Sequence, residues 1–484
     1  MENKKEHWKI CPNCEGLGKK YLRLREKAKI RYQIALQEFE KNKAEGKPAV
    51  RPKITQYLCE NCCGSGLISA ISDPIADSEN YPHIAIIGGG IGGVALAVAC
   101  LHRRIPFTLY ERDSCFDARA QGYGLTLQQA SKAIKGFGIF SLKEGTNSIR
   151  HVVHTTDGKE IIEWGLNTNP NINKSPKRIN VHIPRQALRF ALFDQLGNQD
   201  VVHWGHRLVS FKQCEDKTIE LSFQVNGEMK TAKADLVVGA DGIRSVVRSF
   251  LIAEDITPLR YLGYVVILGI CSLKDLKGVE SRLLNLSTVF QTVNGRERIY
   301  VMPYSADSVM WQLSFPMSEE EAKFLSAQGP QALKDEACRR ANWHDPIPQI
   351  LSGTLTSLIS GYPVYDRELL KPELLEKAGA VTLIGDAAHP MSPFKGQGAN
   401  QALLDALELA RNISIACNSF SKWREVGLRE VVLKEFEEEM LIRSGLKVKD
   451  SAEAVELLHS KYVLREGDGP KERCLRKFRE SQNG

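Results

Sequence analysis

No glycine-free apolar run in this 484-residue chain approaches the length of a membrane-spanning helix. Tyr261–Cys271 has eleven residues, two of them glycine, and Ile84–Leu101 is interrupted by five glycines, where a spanning helix needs about twenty apolar residues. The opening residues Met-Glu-Asn-Lys-Lys-Glu-His contain no apolar signal core, so a cytoplasmic protein without a membrane span is expected. A secreted disulfide framework is also missing: twelve cysteines are spread through a long chain, and five of them crowd into the first 63 residues. The middle of the chain shows no paired carboxylates, nucleophile triad or catalytic metal cluster, so no catalytic side chain is assigned. None of the six tryptophans has another two positions away. What the chain does have is length and a 43% hydrophobic content, enough for a large core and more than one domain.

The most informative stretch is Val381-Thr-Leu-Ile-Gly-Asp-Ala-Ala-His-Pro-Met-Ser-Pro-Phe-Lys-Gly-Gln-Gly398. A short apolar strand ends at Gly385-Asp386, and a loop with Pro390, Pro393, Gly396 and Gly398 follows. A helical pattern then starts at Ala399, with Ala402, Leu403, Ala406, Leu407 and Ala410 on one face. A carboxylate at a strand end beside a glycine-lined helix N-terminus suits a phosphate chain and a hydroxylated ligand.

Two further elements stand upstream. His83-Ile-Ala-Ile-Ile87 leads into Gly88-Gly-Gly-Ile-Gly-Gly93 and an apolar helix, so that Gly88, Gly90 and Gly93 fill the G-x-G-x-x-G positions. The turn, the approach of backbone to a pyrophosphate and the helix packing each need a missing side chain. The next strand, Phe107–Tyr110, ends at Glu111, where a ribose-binding acid belongs. Farther on, Asp235-Leu-Val-Val-Gly239 ends a strand before Asp241-Gly242, and Arg244 and Arg248 are spaced to share a helix face.

The order of these three elements closely resembles the FAD-dependent monooxygenases of the p-hydroxybenzoate hydroxylase type, the class A flavin hydroxylases, over about residues 83 to 450. The resemblance implies FAD contacts from Gly88, Gly90, Ile91, Gly92, Gly93, Glu111, Arg112, Asp241, Asp386, Gly398, Ala399 and Asn400. It adds Arg185, which opens a helix after a short strand, and Arg119 in the loop after the second strand; a surface position is the alternative for both. Lys395 departs from the family, whose members usually carry a small residue there. A simple NAD dehydrogenase has no reason for the Gly385-Asp386 loop, and a flavin halogenase would be expected to show a Trp-x-Trp-x-Ile-Pro segment. The implied reaction takes NADPH or NADH and dioxygen through a C4a-hydroperoxyflavin to an electron-rich aromatic or unsaturated small molecule. The rival is a non-catalytic or reductase-type flavoprotein.

A separate signal lies at the start. Cys11-Pro-Asn-Cys14-Glu-Gly-Leu-Gly18 and Cys59-Glu-Asn-Cys62-Cys63-Gly-Ser-Gly66 both read C-x-x-C-x-G-x-G. Two such knuckles supply the four thiolates of a closed zinc site, with Cys63 left over. The pattern is similar to the cysteine-rich module of DnaJ-type chaperones, halved to two knuckles; a redox pair is the alternative. Between the knuckles, Leu24, Ala28, Tyr32, Ala35 and Phe39 predict an amphipathic helix over about 19–45, with a strand at Gln56–Leu58. Residues 1–70 hold fifteen Lys/Arg against eight Asp/Glu, the whole +7 excess of the chain. That excess fits a module that docks a protein partner, or a solvated basic face; nucleic-acid binding lacks the expected aromatic interleaving.

The expected fold is α/β: a Rossmann-like FAD-binding domain interleaved with an antiparallel substrate sheet, plus the small N-terminal zinc-binding module. The expected boundaries are 1–70 for the module, 71–82 for a linker, 83–450 for the monooxygenase domain and 451–484 for a helical tail. The substrate sheet is expected mainly over 150–180 and 258–370. His151, His154, His203 and His206 look grouped along the chain but read as structural.

Overall fold

The computed structural model describes residues 6–21, 30–31, 33–35, 56–119, 123–165, 180–197, 200–276, 278–418 and 421–465. They form two compact units, Met1–Ile75 and Ala76–Gly484.

In the first unit the two knuckles sit at the ends of two small antiparallel ladders. His7–Ile10 pairs with Leu67–Ala70, and Lys19–Tyr21 pairs with the expected strand Gln56–Leu58. The knuckles repeat each other's backbone: Glu15, Gly16 and Gly18 have positive φ, and so do Cys63, Gly64 and Gly66. A side chain at Gly18 would meet the Gly64 carbonyl at 2.4 Å, and one at Gly66 would meet the Gly16 carbonyl at 2.3 Å. Glycine is therefore required at both places for the knuckles to cross. Lys19–Tyr21 is strand, which corrects the expected helix start. Helical backbone is seen at 30–31 and 33–35; the rest of that expected helix lies outside the described residues.

The second unit is built on two sheets. One is wholly parallel, in the order Val202–His203, Phe107–Tyr110, Ile84–Ile87, Leu236–Gly239, Val381–Leu383. Its central strands are buried on both faces, as a parallel sheet between helices requires. The helix Ile91–His102 lies against the helix Gly398–Ala416, and a Cβ at Gly92 would stand 3.4 Å from the Ala402 methyl. The expected apolar face of the second helix, from Ala402 to Ala410, is buried.

The other sheet has seven strands, in the order Glu160–Gly165, Arg150–Thr155, Thr288–Val293, Arg298–Ser305, Ser308–Pro316, Leu259–Ser272, Ile359–Arg367. All pairs are antiparallel except Arg150–Thr155 with Thr288–Val293. The long apolar run Tyr261–Cys271 belongs to the strand Leu259–Ser272. Val265 and Ile267 face a core under the helices Glu319–Ala327, Pro330–Arg340 and Ile347–Gly353, while Val266 faces the opposite side. Cover on both faces explains an apolar run that needs no membrane. Among the described residues no helix is long and apolar enough to span one.

Three expectations change. A meander of Arg207–Gln213, Ile219–Val225 and Glu228–Ala234, unforeseen from the sequence, packs Leu221 and Phe223 into the core of the parallel-sheet half. Residues 76–82 are part of the second unit rather than a linker: Trp423 donates its indole N–H to the Asn80 carbonyl at 2.8 Å, and Tyr81 packs on the core. The boundary at 450 also disappears, because one helix runs from Lys434 to Leu458 and buries Val455, Leu457 and Leu458. Residues 166–179 of the expected substrate sheet lie outside the described residues, and Asn180–Pro184 joins a small sheet with Gly124–Leu127 and Thr146–Ser148.

Candidate functional site

A cavity of about 780 Å³ runs through the second unit between the two sheets. One end is made by the glycine loop. Gly88 has φ +110°, and a Cβ there would lie 2.6 Å from the Ala240 carbonyl; one at Gly93 would lie 1.9 Å from the Gly88 carbonyl. A Cβ at Gly90 would instead project into open space with no atom within 4 Å, and Gly90, Ile91 and Gly92 line the cavity. The helix that begins at Ile91 has no side-chain cap and no acid in its first turn. The same holds for the helix that begins at Gly398, whose Gly398 and Ala399 also line the cavity. Two helix N-termini thus present unfilled donors to one space, the arrangement a diphosphate or a polar ring edge needs.

The acids of this region divide into two kinds. Asp386 is surrounded by protein but open to the cavity, and makes no hydrogen bond among the described residues. Burial pushes its pKa up, His389 and Arg185 oppose that, and Asp405 adds to it. Glu111 is buried and accepts from the Gly89 amide at 2.6 Å and the Asp113 amide at 2.9 Å, fixing the turn of the glycine loop. Asp241 turns away from the cavity. It accepts from the Ser245 hydroxyl at 2.5 Å and from the amides of Val246 and Val247, closing the N-terminus of the helix Val246–Leu251; its neighbours Ala240 and Gly242 do the lining. Burial raises the Asp241 pKa, against the pull of those donors.

Arg185 opens the helix Arg185–Leu196, as expected, and lines the cavity with its guanidinium 5.7 Å from the Tyr123 ring centroid. Arg112 is exposed. The Arg119 side chain lies outside the described residues. Asn400 is buried and fully engaged: its oxygen accepts from the amides of Gln128 and Ala130, and its nitrogen donates to the carbonyls of Thr126 and Gly396. It ties the helix to the strand Gly124–Leu127, so its side chain is taken up within the protein, whereas its backbone N–H belongs to the open first turn of the helix. Arg244 and Arg248 do not share a face. Arg244 is exposed before the helix starts, whereas Arg248 is buried and donates to the carbonyls of Ala387 and Ala388 and to the Thr257 hydroxyl. Burial lowers the Arg248 pKa to about 10.

Other residues that position the site are absent from the expected set. Arg189 donates to the Gly89 carbonyl at 2.8 Å and to the Phe116 carbonyl, and stacks over the Phe116 ring at 4.6 Å. Asp405, wholly buried, accepts from His389 Nε2 at 2.6 Å, the Gly385 amide at 2.9 Å and Arg443 at 2.9 Å. Burial works against its charge, but His389 and then Arg443 outweigh it and hold the carboxyl below its usual range. Each had a signal: a charged residue at a position where the helical period calls for an apolar one.

The far end of the cavity is walled by the seven-stranded sheet, with Trp164, Gln291, Arg298, Tyr300, Met310 and Tyr362 facing in. His151 joins them, stacked on Trp164 at 5.1 Å. A buried chain links Thr126 Oγ1 to His182 Nδ1 at 3.0 Å, His182 Nε2 to Ser148 Oγ at 2.7 Å, and Ser148 to His151. Burial, with His151 adding, lowers the His182 pKa to about 4. His203 and His206 are elsewhere, packed on Tyr110, so the four histidines form no single cluster.

In the first unit, the sulfurs of Cys11, Cys14, Cys59 and Cys62 lie within 4.8 Å of one another. The Cys11–Cys59 and Cys14–Cys62 separations are 3.9 and 3.7 Å, close to the edge of about 3.8 Å of a tetrahedron with zinc–sulfur bonds of about 2.3 Å. The amides of Gly18 and Gly66 donate to Cys14 and Cys62, and Asn61 donates to Cys11. Cys63 is exposed and outside the tetrad.

Comparison with known proteins agrees with this geometry. The family described as "FAD binding domain" matches residues 82–345 and 375–421. Aurachin C monooxygenase/isomerase of Stigmatella aurantiaca is 29% identical over 69% of this chain and 80% of its own length. The 3-amino-4-hydroxybenzoate 2-monooxygenase PtmB3 of Streptomyces platensis is 26% identical over 69% of this chain and 80% of its own. Among solved structures, Klebsiella pneumoniae HpxO in complex with FAD and uric acid superposes with a TM-score of 0.65 at 21% identity, covering 82% of this chain and 95% of that one; it shares the fold.

Proposed function

The chain belongs to the FAD binding domain family of FAD-dependent monooxygenases, and from that premise we propose its reaction. NADPH or NADH and dioxygen are consumed. One oxygen atom enters an electron-rich aromatic or unsaturated small molecule by hydroxylation or epoxidation, and the other leaves as water. The observation that carries this reading is the shared cavity. Two uncapped helix N-termini and the unengaged Asp386 line one end, and an aromatic wall lines the other.

The flavin, when bound, supplies the oxygen-activating chemistry. The residues of this chain bind and shape. The glycine loop and the Gly398 helix would take the phosphates and a ring edge, with Asp386 accepting from a hydroxyl group. Arg185 would neutralise negative charge beside Tyr123. Trp164, Tyr300 and Tyr362 would hold the substrate and keep water from the reacting centre. Asp405, Arg189 and Arg248 act through the loops that they pin. Cys11, Cys14, Cys59 and Cys62 would hold one structural zinc, and the basic first unit would dock a protein partner.

The test is direct. The purified protein should be yellow with non-covalent FAD, NADPH or NADH oxidation should accelerate with the correct acceptor, and the product should carry one atom from labelled dioxygen. A protein that takes up no FAD sinks the reading. Label arriving only from water, or electrons passing to another carrier, moves it to a reductase whose first unit recruits a partner.

A further inference from the structure

Two methionine sulfurs stand together on the wall of the cavity. Met302 and Met310 are register partners on the adjacent strands Arg298–Ser305 and Ser308–Pro316, and both line the cavity. At 2% and 4% exposed, they are shielded from bulk water but open to whatever the cavity holds. Both meet the strand Gly124–Leu127. The Gly124 amide donates to Met310 Sδ at 3.0 Å, the Thr126 hydroxyl lies 4.0 Å from Met302 Sδ, and a Cβ on Gly124 would strike the Met302 methyl. A thioether is a weak acceptor. Here it nevertheless fixes the end of a strand, so the sulfur holds a set place where methionine more commonly fills a gap.

The same strand reaches the cofactor end of the cavity. Asn400, in the first turn of the helix Gly398–Ala416, donates to the Thr126 carbonyl at 2.9 Å, and the Arg185 amide donates to the Tyr123 carbonyl at 3.0 Å. The sulfurs are therefore one strand away from the helix N-terminus to which the flavin is assigned. Among the described residues lining the cavity, sulfur comes only from Met302, Met310 and Met391, and Met391 is half-buried in the loop before Pro393. A thioether is the most polarizable group on this wall. It takes up a single oxygen atom without losing a proton or a leaving group.

Resting on the oxygenase reading, we propose that the Met302–Met310 pair is a site of self-oxygenation. When no acceptor occupies the cavity, the oxygen atom destined for substrate passes to a thioether. The balance is that of the oxygenase reaction with methionine as acceptor: dioxygen, NADPH or NADH and a proton give the oxidised nicotinamide, water and methionine sulfoxide. Sulfur and nicotinamide each lose an electron pair and dioxygen gains both pairs. The O–O bond breaks as the S–O bond forms, and the second oxygen leaves as water. The new oxygen makes an apolar side chain polar and needs room at a sulfur that the Gly124 amide already meets at 3.0 Å. Oxidation pushes back the strand that follows Tyr123, and turnover slows. An acceptor in the cavity takes the oxygen instead and protects both sulfurs.

The experiment incubates the FAD-loaded full chain with NADPH under labelled dioxygen, with catalase present and no acceptor, and maps label on all seven methionines by peptide mass spectrometry. Met229, 60% exposed, is the internal control for peroxide in bulk water. Met302 or Met310 should gain one labelled oxygen while Met229 gains none, and hydrogen peroxide added without NADPH should reverse that order. The rate of NADPH oxidation should fall as the label rises. The double variant Met302→Leu/Met310→Leu, apolar and of similar volume, should hold its own starting rate for longer. NADPH consumed with both sulfurs unlabelled, label confined to Met229 or Met391, or a double variant that loses its rate as fast as the unaltered protein overturns the proposal. Should the double variant fail to fold, the label map of the unaltered protein decides alone. Where NADPH does not reduce the flavin, dithionite reduction before labelled dioxygen puts the same question. Oxygenation of an added acceptor with both sulfurs unlabelled keeps the oxygenase reading and removes this site, whereas a protein that takes up no FAD fails both.

Discussion

In Met1–Ile75 the buried apolar cluster consists of four cysteines with Ile68 packed against it. In Ala76–Gly484 the parallel-sheet core alone runs from Ile84 to Leu441 and draws on strands, helices and the meander. Among its described residues the first unit buries little besides its sulfurs and Leu67, and its crossing knuckles need glycine where a Cβ would strike backbone. The second has burial in excess and uses polar groups as fasteners. Asp405 ties His389, Gly385 and Arg443; Asn400 ties a helix to a strand; Arg189 ties the glycine loop. With zinc in the proposed site, stability and metal binding in the first region would be the same event, as in small zinc domains. In the other they are separable, and substitutions can distinguish them.

The sharpest break in that comparison comes from metal removal. Chelation, or Cys59→Ser, should abolish binding of one zinc per chain and unfold the first unit, since structural zinc contributes on the order of 10 kcal/mol. The second unit should keep its FAD and its own melting transition, and Cys63→Ser should change nothing. Metal analysis with calorimetric scanning reads all three; loss of FAD on chelation would show that the units are not independent.

Next in size is Asp405→Ala, which strands Arg443 and His389 in the interior. A cost of about 3–5 kcal/mol is expected, seen as a lowered denaturation midpoint of the second unit with zinc content intact. Retention of full stability would show that the cluster is not a fastener.

Asp386→Ala should do the opposite: little change in the denaturation midpoint, but FAD affinity weakened about 10- to 100-fold, as for a hydrogen bond to a charged group of about 1.5–3 kcal/mol. Equilibrium dialysis of FAD separates the two effects, and a variant that binds FAD normally removes Asp386 from the site.

The smallest effect is on pH dependence. The Asp405 carboxyl is held below its usual range, so its contribution is present above the unfolded value of about 3.9 and is lost as pH falls through the depressed folded value. Asp405→Asn should therefore flatten the acid limb of the second unit's stability curve. The first unit should still release zinc as its thiolates protonate, whichever residue stands at 405. An unchanged acid limb in the variant would break the linkage.

Much of the site was legible because its signals are local. A glycine at a turn, a thiol two residues from its mate and an acid at a strand end each state their purpose within a few positions. The Gly88–Gly93 loop, Glu111, Asp386, the Gly398 helix and the four cysteines accordingly stand where spacing puts them. The meander over 207–234 escaped notice although its middle strand, Ile219–Val225, alternates strictly and buries Ile219, Leu221, Phe223 and Val225; the two strands beside it are mostly exposed and carry little apolar pattern. The apparent pair Arg244 and Arg248 dissolved because the helix begins only at Val246.

By itself, the sequence determined the order of the glycine loop, the Asp241-Gly242 turn and the Gly385-Asp386 loop, the family they belong to and the thiol tetrad, since each depends on spacings of a few residues. Tertiary structure decided the partners of those residues. Asp241 and Asn400 satisfy amides brought from other turns or from distant loops, and Arg189 and Asp405 pin loops far away in sequence. Arg298, one more charged residue on a strand when read in sequence, becomes a buried cation facing a cavity. Hydrogen bonds and burial are set by distance in space, which linear spacing cannot express beyond a turn or two of helix.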